Sequence, residues 1–299
     1  MLPTVYSVDL AARSGAAALS RTQDYPRAMR LLQVGRLGAG HLPVLFAIVF
    51  TAMLGATYCF AVYHGDVDPV FPYISANGDN RPESCVFSML LNLCALLSIV
   101  IVHLRYSLIA ELNRSSNLFL KRLNGLALYL GTFGGIGMFI VANFQETAVV
   151  KVHLFGAFTC FGFGGLYMVL QAIISHLMCP LFAGRRAANI RSVLAGFSVV
   201  SFFVAVYYGV AAANEFHKFH PNDPTPRPWS HKQMHEGYEL HCVSALAEWI
   251  LALLNMAFIL SFSRDFEKIR VDLRVNPLVG HLDQSPIWRS ESDLTGASP

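Results

Sequence analysis

Six polar side chains stand out in apolar surroundings along this 299-residue sequence: Asn143, Gln145, Glu146, His153, His241 and Glu248. Carboxyl and imidazole groups gathered where water is scarce can exchange a proton, orient a polar head group or tie one helix to another. His241, Ser244, Glu248 and Asn255 recur at spacings that place them on one face of a helix. Glu248 is the sharpest of them because it interrupts a long apolar run. At a bilayer centre the ionisable residues tabulated on insertion scales cost roughly 2.5–3.5 kcal/mol, so Glu248 has to face other helices or a wet cavity. Two roles fit it: a structural hydrogen bond, through Asn92 or Gln171, or an acid that works.

Histidine supplies a second pattern. The 214–241 segment carries His217, His220, His231, His235 and His241, and His64 and His153 fall on the same side of the chain's apolar spans. Side chains that titrate near pH 6.5 make this face pH-sensitive, with His217, His220, His231 and His235 as the sensing set. His217-x-x-His220 and His231-x-x-x-His235 also have spacings that metal ligands use, but they form no closed ligand set, and the reading is a site without metal or cofactor. Cys85 and Cys242 end apolar spans on this same side and are the pair that a disulfide would join; the remaining cysteines read as packing residues, with Cys179 beside Pro180 open to acylation. There is no Gly-rich phosphate loop, nucleophile elbow, CxxC or HExxH, so no familiar catalytic class is indicated.

The elements that position these residues follow from composition. Hydrophobic residues make up 54% of the chain and charged ones 14%, and the apolar residues are gathered into blocks near the ~20 residues that cross a bilayer as helix. The blocks are 42–63, 86–103, 123–142, 152–175, 193–213 and 241–262. The predicted fold is all-α, a polytopic bundle of six transmembrane helices occupying 42–263. Segment 1–41, which lacks a signal-peptide core, and tail 264–299 are expected to be cytosolic and largely disordered. Of the 22 Lys and Arg residues, 17 fall on the side of the two termini, which puts both termini in the cytosol and the polar cluster on the far side. The net charge of +3 thus reflects topology and implies no nucleic acid. The sequon Asn113-Arg-Ser115 is expected on the cytosolic side, unglycosylated, and Tyr106-Ser-Leu-Ile109 has a sorting-signal pattern but abuts a span. Gly131 and Gly135 form a GxxxG pair, read as helix packing within the chain.

Several segments resemble the Frag1/DRAM/Sfk1 family, and specifically the damage-regulated autophagy modulators. They are Phe71-Pro-Tyr-Ile-Ser75, Arg81-Pro-Glu-Ser84, Ile140-Val-Ala-Asn-Phe-Gln-Glu146, Leu170-Gln-Ala-Ile-Ile-Ser175 with Cys179-Pro180, His241-Cys-Val-Ser-Ala245, Glu248-Trp249 and Asp265-Phe266, in the same order. The resemblance covers about 42–275 and leaves the N-terminal extension outside it. It implies a lysosomal or endosomal membrane protein, with the plasma membrane as the alternative, that promotes autophagy and in some members bears on apoptosis. It implies a non-enzymatic regulator whose partners are membrane lipids and proteins of the autophagy or phosphoinositide pathways. The alternative is a lipid-remodelling or lipid-moving protein that acts on head groups at the lumenal leaflet, with Glu248 and His153 or His241 as acid–base groups.

Overall fold

The computed structural model describes residues 39–269 except 115, 116, 181, 182 and 234. Most of the expected N-terminal segment 1–41 and of the tail 264–299 therefore lies outside the described residues. Helices α1 (His41–His64), α2 (Glu83–Leu112), α3 (Leu118–Asn143), α4 (Val150–Leu177), α5 (Arg185–Phe219) and α6 (Tyr238–Leu260) are followed by a single turn, α7 (Ser263–Phe266). A 3₁₀ turn at Ser75–Gly78 lies between α1 and α2, and no strand occurs among the described residues. Six helices are long and apolar enough to cross a membrane, so this is a multi-pass membrane protein.

Five of the helices reach several residues past the apolar blocks. Hydropathy marks where the bilayer begins, whereas a helix runs on until something stops it. For α5 the stops are Gly184 and the stretch at Pro221, which stretch an expected 193–213 span to 35 residues, about 52 Å. Helix α2 starts directly after Pro82, and α3 is capped by the Asn117 side chain, which accepts from the Leu120 N–H at 3.2 Å. Gly237 starts α6 with a φ of +89°, and a Cβ there would lie 2.5 Å from the Ala212 carbonyl oxygen, so both conformation and space require glycine.

The helices pack in chain order and close into a ring, α1 on α2, α2 on α3, α3 on α4, α4 on α5, α5 on α6 and α6 back on α1, with α4 also touching α6. Glycines let α3 approach its neighbours: a Cβ on Gly131 would meet Val102 and Tyr167, one on Gly135 would meet Ile99, and one on Gly137 would come within 2.4 Å of the Cys160 backbone nitrogen. The GxxxG pair thus packs helices inside the chain. Helix α5 is the most peripheral, and Val193, Phe197, Val200, Phe203 and Tyr207 are exposed along it as apolar surface for lipid.

At the end where α1 begins, Arg105 of α2 and Arg191 of α5 are buried and share one carboxylate. Arg105 Nη1 and Arg191 Nη2 donate to Asp265 Oδ2 at 2.8 and 2.7 Å. Arg191 also donates to Ser175 Oγ and to both oxygens of Ser261, Arg105 donates to Gln171, and both guanidiniums lie over the Phe262 ring. One acid following α6 therefore joins α2 to α5, and the two arginines it holds reach α4 through Gln171 and Ser175.

Candidate functional site

The opposite end carries the three loops 65–82, 144–149 and 220–237, and the site grows from the first of them. Trp249 Nε1 of α6 donates to the Pro72 carbonyl at 2.9 Å, and Tyr73 donates its hydroxyl to Ser244 Oγ at 2.9 Å while Ser244 donates to the Ala205 carbonyl on α5. Burial pushes the Tyr73 phenol up to about 12, so it remains a hydrogen-bond donor at every physiological pH. One turn below, the Glu248 carboxyl meets the backbone of Ile74. Three consecutive loop residues, Pro72, Tyr73 and Ile74, are thereby fixed to one face of α6, the face formed by His241, Ser244 and Glu248.

His241 is 2% exposed and enclosed by rings: Trp229 stacks on it at 5.1 Å between centroids, Tyr73 meets it edge-on at 4.6 Å, and Tyr238 is 6.0 Å away. Its Nδ1 is buried without a hydrogen-bond partner. Beside it, Glu146 accepts from Ser75 Oγ at 3.0 Å and forms an ion pair with Arg227. Burial draws the Arg227 guanidinium below its ordinary value, but an arginine there stays protonated. Asp79 accepts from the Thr147 N–H at 3.1 Å. A recess of about 20 Å³ lies among Asp66, Asp79, Glu146, Arg227, Trp229 and His241. It has room for about one water molecule.

A larger cavity of about 50 Å³ lies deeper, among α1, α2, α3, α4 and α6. Its walls are apolar, with Phe46, Phe50, Phe87, Leu91 and Met256 among them, and its polar lining includes Glu248, His153 and Asn255. Glu248 and His153, far apart in the chain, thus open on one space. His153 is 3% exposed and its Nδ1 donates to the Phe144 carbonyl at 2.6 Å, which fixes the tautomer in the neutral form and turns Nε2 into the acceptor. A small cavity with apolar walls and one carboxyl, one imidazole and one amide among its lining has room for a few water molecules or one small polar group.

Several expectations need correction. Asn143 does not join Glu248; its amide pairs reciprocally with Asn92 at 2.8 and 3.1 Å on the exposed side of α2 and α3. Gln171 serves Arg105, so neither partner expected for Glu248 reaches it, and backbone takes their place. Gln145 contributes its carbonyl to the Val149 N–H in the α3–α4 turn. Cys85 and Cys242 are free thiols: Cys85 is exposed on the first turn of α2, which packs on α1 and α3, whereas Cys242 lies on α6, which packs on α5, α1 and α4. Cys179 is a free thiol that donates to the Ala183 carbonyl. Tyr106 lies within α2, its carbonyl accepting from Asn124, so the sorting pattern is part of a helix. Asn113 caps the end of α2 by bonding Asn117, and Ser115 of the sequon lies outside the described residues.

The four loop histidines turn to different partners. His217 bonds Thr225, His220 contacts Asp223 and Glu236 through opposite ring nitrogens, the His231 N–H donates to Asp68, and His235 bonds Gln233. Phe216 gathers three of the rings, with His220 stacked on it at 4.8 Å and His217 and His235 edge-on at 5.5 and 5.6 Å. Tyr73, Arg227 and Trp229 complete the site; in the sequence Tyr73 stands out only as part of the family-like segment Phe71-Pro-Tyr-Ile-Ser75, and Arg227 and Trp229 only as a cation and an aromatic among prolines.

The family model Frag1/DRAM/Sfk1/Cwh43P N-terminal domain matches residues 38–269. The chain is 35% identical over 238 residues to DNA damage-regulated autophagy modulator protein 2 of Bos taurus, covering 78% of this chain and 85% of that protein. It is 32% identical over 236 residues to DNA damage-regulated autophagy modulator protein 1 of Xenopus laevis, covering 79% and 94%. It is 38% identical over 155 residues to the modulator of macroautophagy TMEM150B of Danio rerio, covering 51% and 65%. No solved structure matches.

Proposed function

Because the chain belongs to the Frag1/DRAM/Sfk1 family, we propose that this DRAM-like, autophagy-modulating membrane protein is a non-enzymatic regulator of lysosomal or endosomal membranes. It promotes autophagy by binding a lipid or a partner protein at the loop-rich end of its bundle. The excess of Lys and Arg near the termini supports placing that end in the lumen. The observation that carries the reading is the cavity on which Glu248 and His153 both open, roofed by a loop fastened to α6. At about 50 Å³ the cavity has room for a small polar group and not for an apolar chain, so carboxyl and imidazole would take the polar end of a ligand whose apolar part lies along the outside of the bundle.

Glu248→Gln tests it, since the substitution keeps shape and hydrogen bonding but removes the ability to ionise. The variant is expected to reach normal abundance and location yet lose autophagy-promoting activity, read as flux of a lipidated autophagosome marker in cells lacking the endogenous protein. Wild-type flux from a well-expressed variant would show that the carboxyl is only structural. A second reading, a protein that moves or remodels lipids, draws on the same acid and imidazole. Purified protein in vesicles carrying labelled phospholipid separates the two, because turnover or transbilayer movement above protein-free vesicles belongs to the second reading alone.

A further inference from the structure

The C-terminal end of α1 and the N-terminal end of α2 converge beside the roofing loop, and there a second group of ligand-type side chains collects. His64, Asp66 and Glu83 each offer an atom to a cluster whose members lie within 4.8 Å of one another. We infer that these three residues form a binding site for a divalent transition-metal ion of the zinc type, which clasps loop 65–82 at its two ends. The inference is independent of the function proposed above.

Charge is the first argument. Two carboxylates share the cluster, and His64, paired with Glu83, returns at most one positive charge, so the three groups alone keep a net negative charge. A divalent ion with a neutral imidazole balances it. The second argument is an unmet acceptor. Glu83 is 1% exposed, and its Oε2 has no hydrogen-bond partner among the described residues. A buried carboxylate oxygen without a donor is costly, and a metal ion satisfies it. Donor chemistry is the third: one imidazole nitrogen and two carboxylate oxygens are a set that zinc accepts, and magnesium or calcium would favour oxygen alone. With donors about 2.0–2.2 Å from the ion, side-chain movements of roughly an ångström complete the shell. His64 keeps 39% of its side chain exposed, which leaves a solvent side for a water as fourth ligand. Asn80 Nδ2 donates to Asp66 Oδ1 at 2.8 Å and orients that carboxylate as outer-shell partners of metal ligands do. The histidine cluster on the other loop differs in this respect, since Asp223 and Glu236 flank opposite nitrogens of His220 and converge on no common point.

The test uses full-length protein in detergent, stripped by a chelator, freed of it and titrated calorimetrically with Zn²⁺, with Co²⁺ absorption as a second readout. One Zn²⁺ per chain is expected, weakened at least about tenfold by Asp66→Asn and by His64→Gln, and by a smaller factor by Asn80→Ala. His220→Asn is expected to leave binding unchanged. His64 is half exposed, so its variant answers the question even where Asp66→Asn yields little folded protein. Absence of stoichiometric Zn²⁺ binding by the monodisperse wild-type protein would overturn the assignment. So would an affinity within about twofold of wild type in His64→Gln, or loss of binding in His220→Asn alone, either of which places the ion elsewhere.

Discussion

Removing the carboxylate of Asp265 tests whether the two buried arginines are a structural lock. Arg105 and Arg191 side chains are 3% and 0% exposed, and each gives its shortest charged hydrogen bond to Asp265 Oδ2. Asp265→Ala leaves two guanidiniums facing each other with neutral acceptors only. Deleting one partner of a buried ion pair costs about 3–5 kcal/mol, and because Asp265 is 25% exposed, water softens the loss and points to the lower half of that range. For a domain of this size each kcal/mol moves Tm by roughly 2–4 °C, so a fall of roughly 10 °C is expected in a thermal unfolding scan of detergent-purified protein. Asp265→Asn, which keeps an acceptor, falls between. The control is Glu111→Ala, because Glu111 pairs with Arg114 while both are well exposed, and a surface pair is worth about 0–1 kcal/mol. If Asp265→Ala and Glu111→Ala unfold within about 2 °C of each other, the arginines are solvated or otherwise compensated, and the lock does not exist.

Gly137→Ala places a methyl 2.4 Å from the Cys160 nitrogen and 2.7 Å from the Gly156 carbonyl oxygen, neither of which can swing aside, and is expected to cost about 1–3 kcal/mol in the same scan. Gly125→Ala, with nothing within 4 Å, is expected to be neutral or stabilising by up to about 1 kcal/mol; equal effects of the two would contradict the close α3–α4 contact. The Glu236 carboxyl is held below its ordinary 4.5, chiefly by a hydrogen bond to its own backbone and, against the opposing push of burial, by His220. A depressed carboxyl stabilises the loop above that ordinary value and loses the contribution as pH falls through the lowered one. Emission of Trp229 is therefore expected to show an acid transition below about pH 4.5 that Glu236→Gln abolishes, and an unchanged transition in the variant would assign it to another group.

The architecture was readable from the sequence because apolar blocks and charge asymmetry are local signals that depend only on how residues are distributed along the chain. The helical face of His241, Ser244, Glu248 and Asn255 was readable for the same reason, since periodicity fixes it before any partner is known. Partners were not. Asn92 and Gln171 were reasonable donors for Glu248 by depth in the bilayer, but they fall on helix faces directed at Asn143 and Arg105. Cys85 and Cys242 share a depth and differ in helix neighbours, which depth does not encode. Arg105 and Arg191 counted only as topogenic charges, and their burial became visible once Asp265, 160 and 74 residues away, was placed between them.

The docking of loop 65–82 on α6 bears on how the protein is made. Trp249 and the Pro72 carbonyl it holds are separated by 177 residues, and Tyr73 and Ser244 by 171. At synthesis rates of about 5–20 residues per second, the loop emerges roughly 9–35 s before its receptor helix exists. For that interval Tyr73 stands without its later partner Ser244, Glu146 waits roughly 4–16 s for Arg227, and the half-built bundle presents unsatisfied polar groups at one membrane face. Truncations that end before α6 hold the chain at this stage permanently, and such products are natural prey for membrane quality control. Insertion of the last helix is thus both the closing of the ring and the moment at which the loop-rich end first takes shape.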